Sequence, residues 1–146
     1  DYNRSMSDFR FYHSIEVRYG DLDPQGHVNN AKHLTYFEQA RVAYMIELGL
    51  FTKDQSFMEI GVILADVHLT YFEPIYFGQK INVGVHAAKF GTKSMTWGQN
   101  IVDADTGKEL AKGEVVIVTY DYKEGKTIPV PQAWRKKIIE FEGLRV

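Results

Sequence analysis

Residues 13–19 alternate, with Ile15, Val17 and Tyr19 on one side and Glu16 and Arg18 on the other. A period of two predicts a strand. The pattern stops at Gly20-Asp21-Leu22-Asp23-Pro24-Gln25-Gly26, a Gly-, Asp- and Pro-rich stretch that reads as a loop. Leu34, Phe37, Ala40, Arg41, Tyr44, Met45 and Leu48 then recur at helical spacing, predicting one long helix over residues 30–49. Asn29 or Asn30 is suited to cap its start, and Gly49 to end it in a left-handed conformation. Four strand-like segments follow, at 61–72, 80–90, 92–102 and 109–122. In the first of these, Ile63, Ala65, Val67, Leu69 and Tyr71 form one face. The other face begins with Val62 and Leu64 and turns polar at Asp66, His68 and Thr70. Gly91 and Asp105-Thr106-Gly107 supply hairpin turns. Residues 134–141 predict a short terminal helix after Pro129 and Pro131.

Strand, long helix and four antiparallel strands define an α+β architecture in which a long sheet wraps one central helix. One helix covers only one face of such a sheet. The other face, or the sheet edge, is therefore expected to meet a second copy, giving at least a homodimer. All 146 residues read as a single domain, with about residues 1–10 as an N-terminal extension, Met6 a candidate native start, and about 131–146 as a helical tail.

Composition narrows the chemistry. Seventeen basic and nineteen acidic residues leave a net charge of −2, so no charge excess attracts nucleic acid. The absence of cysteine excludes thiol nucleophiles, disulfides and zinc–thiolate sites, and fits a cytoplasmic location. No apolar run is long enough to span a membrane. No Gly-x-Ser-x-Gly elbow, phosphate loop or His-Glu-x-x-His pair is present.

Polar groups concentrate in the loop from Asp21 to Asn30. Three readings of it stand side by side. Asp21, Asp23 and Gln25 alternate before Gly26, as a calcium loop begins, but the twelfth position is the cation Lys32 where a bidentate Glu belongs. Asp, Asn and Gly also build turns and helix caps for purely local reasons. Third, the loop suits acyl transfer. The unpaired N–H groups at a helix start favour a developing oxyanion. Asp23, seven residues before Asn30, is placed to attack a thioester carbonyl or deprotonate a water, with His27 moving a proton or orienting substrate.

The stretch Val17-Arg18-Tyr19-Gly20-Asp21-Leu22-Asp23-Pro24-Gln25-Gly26-His27-Val28-Asn29-Asn30, with Tyr36-Phe37-Glu38-Gln39-Ala40-Arg41, resembles the signature of the hotdog-fold acyl-CoA thioesterases. Its closest group is the 4-hydroxybenzoyl-CoA thioesterase-like family. Tyr71-Phe72-Glu73-Pro74 with Phe77-Gly78, and Gly91-Thr92-Lys93-Ser94, extend the resemblance to most of residues 15–122. It implies a hotdog fold that dimerises edge to edge, as a homodimer or a dimer of dimers, with the partner chain completing each site. It implies hydrolysis of an acyl-CoA to a free acid and CoA, with no metal and no cofactor beyond the CoA of the substrate. Asp23 becomes the nucleophile or general base. The backbone N–H near Asn30 polarises the thioester carbonyl, while His27 and Asn29 line the loop. Lys93 and Ser94 are candidate contacts for CoA. Many relatives carry Tyr where this chain has His33, a departure that bears on the acyl pocket or the helix start.

Other conspicuous residues carry blander expectations. Asp21 is expected as a turn-former or a partner of Arg18 or Arg41. Glu38 is expected at the edge of the apolar stripe. His13, His68 and His86 are expected at exposed or interface positions. Trp97, Tyr71, Phe72 and Phe77 are expected in packing unless they line an acyl pocket. Two other activities fit the same fold: a hydratase or dehydratase acting on enoyl-CoA, and a non-catalytic acyl-CoA-binding module.

Overall fold

The computed structural model describes residues 9–51 and 61–144. Most of the expected N-terminal extension lies outside these residues. The elements are β1 (Tyr12–Glu16), α1 (Lys32–Glu47), β2 (Gly61–Tyr71), β3 (Lys80–Phe90), β4 (Ser94–Asp103), β5 (Glu109–Asp121), β6 (Lys126–Thr127) and α2 (Gln132–Glu142). The strands form one antiparallel sheet in the order β1-β3-β4-β5-β2, with the two-residue β6 added to β5. β2 is therefore an edge strand.

The helix buries His33, Tyr36, Phe37, Ala40, Arg41, Tyr44 and Met45. Phe37, Ala40, Arg41, Tyr44 and Met45 belong to the stripe read in the sequence, whereas His33 and Tyr36 join it and Leu34 stays 37% exposed. Arg41 is buried within the stripe, and its guanidinium donates to Gln99 Oε1 at 3.1 Å. Gln99 Nε2 in turn donates to the Phe37 carbonyl at 2.9 Å. This pair ties the middle of α1 to β4, and burial pushes the Arg41 pKa down. Phe37 lies so close to β5 that a side chain on Gly113 would collide with its ring and with the His68 carbonyl.

A bulge between Leu64 and Asp66 corrects the face reading of β2. Leu64 pairs with the buried Ile117, and beyond the bulge Val67 pairs with the buried Val115. Val62 and Leu64 thus share the helix-facing side with Val67, Leu69 and Tyr71, while Ile63, Asp66, His68 and Thr70 face outward. One extra residue exchanges the faces because the side-chain period is two.

Three further expectations change. The first strand ends at Glu16, and residues 19–21 form a 3-10 turn. His86 is buried, with its ring 4.8 Å from that of Phe9 and lying where Gly98 has no side chain. His13 is half-buried, its Nε2 3.2 Å from Gln39 Nε2. Trp97 is core, edge-on to Tyr44.

The terminal helix is stitched to the centre. Glu142 Oε2 accepts from the Tyr44 hydroxyl at 2.5 Å and from the Ala87 N–H at 2.9 Å. Ala87 precedes a bulge in β3, where the ladder is interrupted.

Candidate active site

The loop before α1 is closed by its own backbone. The Asn29 N–H donates to the Asp21 carbonyl at 2.8 Å, the Asp23 N–H to the His27 carbonyl at 2.9 Å, and the Gly26 N–H to the Asp23 carbonyl at 3.0 Å. Gly26 turns the chain at φ +86°, which a side chain would strain. The Val28 N–H then donates to the Ile75 carbonyl at 2.7 Å, and His27 bridges to Tyr76. These contacts hold the loop against the segment that follows β2.

The two aspartates do different work. Asp21 is buried. Its Oδ2 accepts from the Arg18 N–H at 3.0 Å and the Tyr36 hydroxyl at 2.7 Å. Asp21 is the expected turn-former, but it meets the Arg18 backbone and not the Arg41 guanidinium. Burial, then the hydrogen bond to Asp21 and its charge, push the Tyr36 pKa well above that of a free phenol. With Asp21 turned inward, it is not arranged to share a cation with Asp23. Asp23 faces the opening, its Oδ1 accepting from the Gln25 N–H at 2.9 Å and its Oδ2 lying 3.4 Å from His27 Nδ1.

The helix start lies beside it. Asn29 Oδ1 accepts from the Ala31 N–H at 2.9 Å, and the Asn29 carbonyl accepts from the Lys32 N–H at 2.9 Å. The residue that flanks the helix is Ala31, without a side-chain cap, so neither Asn29 nor Asn30 is the cap expected from the sequence, and the Asn29 side chain closes the turn ahead of Ala31 instead. The Asn30 carbonyl accepts from the Tyr71 hydroxyl at 2.8 Å. The Asn30 N–H has no hydrogen-bond partner among the described residues. Asp23, His27, Asn30, His33, Tyr71 and Glu73 open onto one cleft of about 450 Å³. The cleft is thus lined by a carboxylate and, just ahead of the helix, by a residue whose backbone N–H is unpartnered among the described residues, an arrangement suited to acyl transfer. Glu73 is ion-paired with Lys108 at 2.5 Å.

The structure brings Asp23, His27 and Asn30 together, with Asn29 supporting them from behind. Lys93 and Ser94 are elsewhere. Ser94 pairs with Val118 of β5, whereas Tyr71 pairs with Ala111. Seven residues of strand separate those positions, ~23 Å at the rise of a β-strand. Within one chain, Lys93 and Ser94 are at the opposite end of the sheet. Phe72 lines the cleft, but Phe77 packs edge-on against Tyr19 outside it. Glu38 is exposed. His33 and the Tyr71 hydroxyl were not singled out by spacing. His33 differs from the Tyr common at its position, which is the one sequence signal it gave.

A sheet wrapped on a long helix, with this loop at the helix start, defines a hotdog-fold protein of the thioesterase class. Residues 17–138 match the Thioesterase-like superfamily, and the chain belongs to it. It is similar to the long-chain acyl-CoA thioesterase FadM of Escherichia coli strain K12, at 26% identity over 129 residues, covering 85% of this chain and 93% of that one. A thioesterase of Thermus thermophilus, solved with coenzyme A and Zn, superposes with TM-score 0.80 at 31% identity, over 95% of this chain and 98% of that one. Slr0204 of Synechocystis, a 1,4-dihydroxy-2-naphthoyl-CoA thioesterase, shares the fold with TM-score 0.79 at 21% identity, over 89% of this chain and 96% of that one.

Proposed function

We propose that this chain hydrolyses an acyl-CoA thioester to a carboxylic acid and CoA. The observation that carries the reading is the pairing of the Asp23 carboxylate with the unpartnered Asn30 N–H on one cleft. The thioester carbonyl oxygen accepts from the Asn30 N–H, aided by the positive end of α1. Asp23 attacks the carbonyl carbon or takes the proton of a water that does so. His27, beside Asp23 Oδ2, orients that carboxylate. The CoA bound by the Thermus thermophilus relative supports CoA as the leaving group.

The same reading includes pairing of two copies through β2. This strand has 11 residues and its outer edge meets no other strand of the chain among the described residues. Open edges of this length invite pairing. Antiparallel pairing about the middle of β2 sets the Gly61 end of one copy against the Tyr71 end of the other. Lys93 and Ser94 then approach the partner's cleft, where they contact CoA. Thiol release from short, medium, long and aromatic acyl-CoAs tests the reaction and identifies the acyl class. Binding of a substrate without thiol release favours a binding module, and loss of enoyl absorbance favours a hydratase.

A further inference from the structure

His33 is 3% exposed yet belongs to the wall of the cleft that holds Asp23 and Asn30. Its Nδ1 lies 3.3 Å from the Asn29 carbonyl. A carbonyl only accepts, so Nδ1 carries the ring proton and Nε2 presents a lone pair. That Nε2 is buried and has no hydrogen-bond partner among the described residues. Its neighbours cannot supply one. The Tyr71 ring stands edge-on at 4.7 Å, but its hydroxyl donates to the Asn30 carbonyl. The Tyr36 hydroxyl donates to Asp21. A buried acceptor is almost always satisfied, and an exception in a reaction cleft calls for a donor that arrives with the reaction. Every thioester hydrolysis brings one such donor, the attacking water.

We propose that His33 is a positioning residue for that water. Its Nε2 accepts one O–H of the water and turns the oxygen lone pair toward the acyl carbon. The proposal rests on the thioesterase reading of the cleft. The titratable groups around the ring are Tyr36 on α1, Asp23 and His27 in the loop, Tyr71 on β2, and Glu73 beyond β2. Glu73 is paired with Lys108 and Tyr36 with Asp21. Burial lowers the His33 pKa most strongly, and His27 lowers it further, against two backbone carbonyls that raise it. The ring is therefore neutral at neutral pH, and acid removes the acceptor.

The test compares the unaltered chain with His33→Phe, which keeps an aromatic ring beside Tyr71, and His33→Gln, which restores an acceptor. Thiol release gives kcat and KM against pH, and thermal unfolding confirms that each variant is folded. The expected result is a kcat ~10- to 100-fold lower in His33→Phe with KM nearly unchanged, since misplacing a reacting group costs about this much. His33→Gln recovers most of the rate and loses a component of the acid limb that lies below pH 6.5 in the unaltered chain. Release by His33→Phe at the unaltered kcat overturns this inference alone. An acid limb unchanged in His33→Gln does the same. Absence of release by the unaltered chain from any acyl-CoA overturns the thioesterase reading and this inference with it.

Discussion

The hydroxyl of Tyr71, the last residue of β2, donates at 2.8 Å to the carbonyl of Asn30, just ahead of the helix body. The bond joins the edge strand to the residue whose N–H is free, so the position of that donor is set from the sheet. Tyr71→Phe removes the bond at a half-exposed site. Unfolding should be easier by about 0.5–1.5 kcal/mol. Thiol release should fall more than stability does, because a small displacement of an oxyanion donor is costly. Denaturant titration and steady-state kinetics on one preparation separate the two effects.

Asp21 and Asp23 should behave oppositely when altered. Asp21→Ala leaves the buried Tyr36 hydroxyl and the part-buried Arg18 N–H without their acceptor. A loss of about 1–3 kcal/mol of stability for each stranded donor is expected. Removing the carboxylate should also bring the Tyr36 pKa down toward that of a free phenol, because both the hydrogen bond and the charge of Asp21 raise it. Ultraviolet titration of the phenols follows the second effect.

Glu142 closes the far end of the molecule. Glu142→Leu deprives the Tyr44 hydroxyl and the Ala87 N–H of one acceptor. The expected cost is about 1–3 kcal/mol per donor, with α2 detaching before the sheet unfolds. Hydrogen exchange at residues 132–142 measures that order.

His33 adds a pH dependence to stability. Its folded pKa is depressed, so the unfolded chain takes up the proton first as pH falls. Stability from this group is full above the ordinary imidazole pKa of 6.5 and declines as the pH drops from there toward the folded value. His33→Gln should flatten that part of the stability profile, as read by unfolding midpoints between about pH 7 and pH 5.

Much of the architecture was legible because long strands and a long helix print their periods plainly. The single strand, central helix and four further strands appear where alternation and helical spacing put them. What escaped were local offsets. The bulge after Leu64 is invisible in a period-two reading, because Ala65 looks like an ordinary strand residue. His86 reads as a surface imidazole until Phe9 and Gly98, far off in sequence, enclose it. Helical spacing puts Arg41 in the buried stripe of α1, but its partner Gln99 of β4 is a tertiary pairing that spacing does not reveal, and the burial of His33 and Tyr36 in place of Leu34 escaped as well. In the site, the Asp23-to-Asn30 loop was legible as a motif, whereas the inward turn of Asp21 and the bond from Tyr71 depend on partners 15 and 41 residues away.

The edge pairing of β2 has its own check. Ala65→Asp adds a carboxylate beside Asp66 at the middle of the strand, and two-fold pairing crowds four of them together. Like charges set opposite each other disfavour strand pairing. The unaltered chain should sediment at twice the chain mass or a multiple of it, and the variant at the mass of one chain. A loss of thiol release in the same sample links the site to the pairing.

The central claim is that Asp23 and the free Asn30 N–H perform thioester hydrolysis. The most direct measurement is thiol release by Asp23→Asn, set against the unaltered chain, with circular dichroism and sedimentation confirming the same folded assembly. Asparagine fills the same space but carries no charge and is a far poorer base and nucleophile. The account predicts that the unaltered chain releases CoA and that Asp23→Asn retains at most about 1% of its kcat, in line with the loss of a catalytic base or nucleophile. Release by Asp23→Asn at close to the unaltered rate would contradict it.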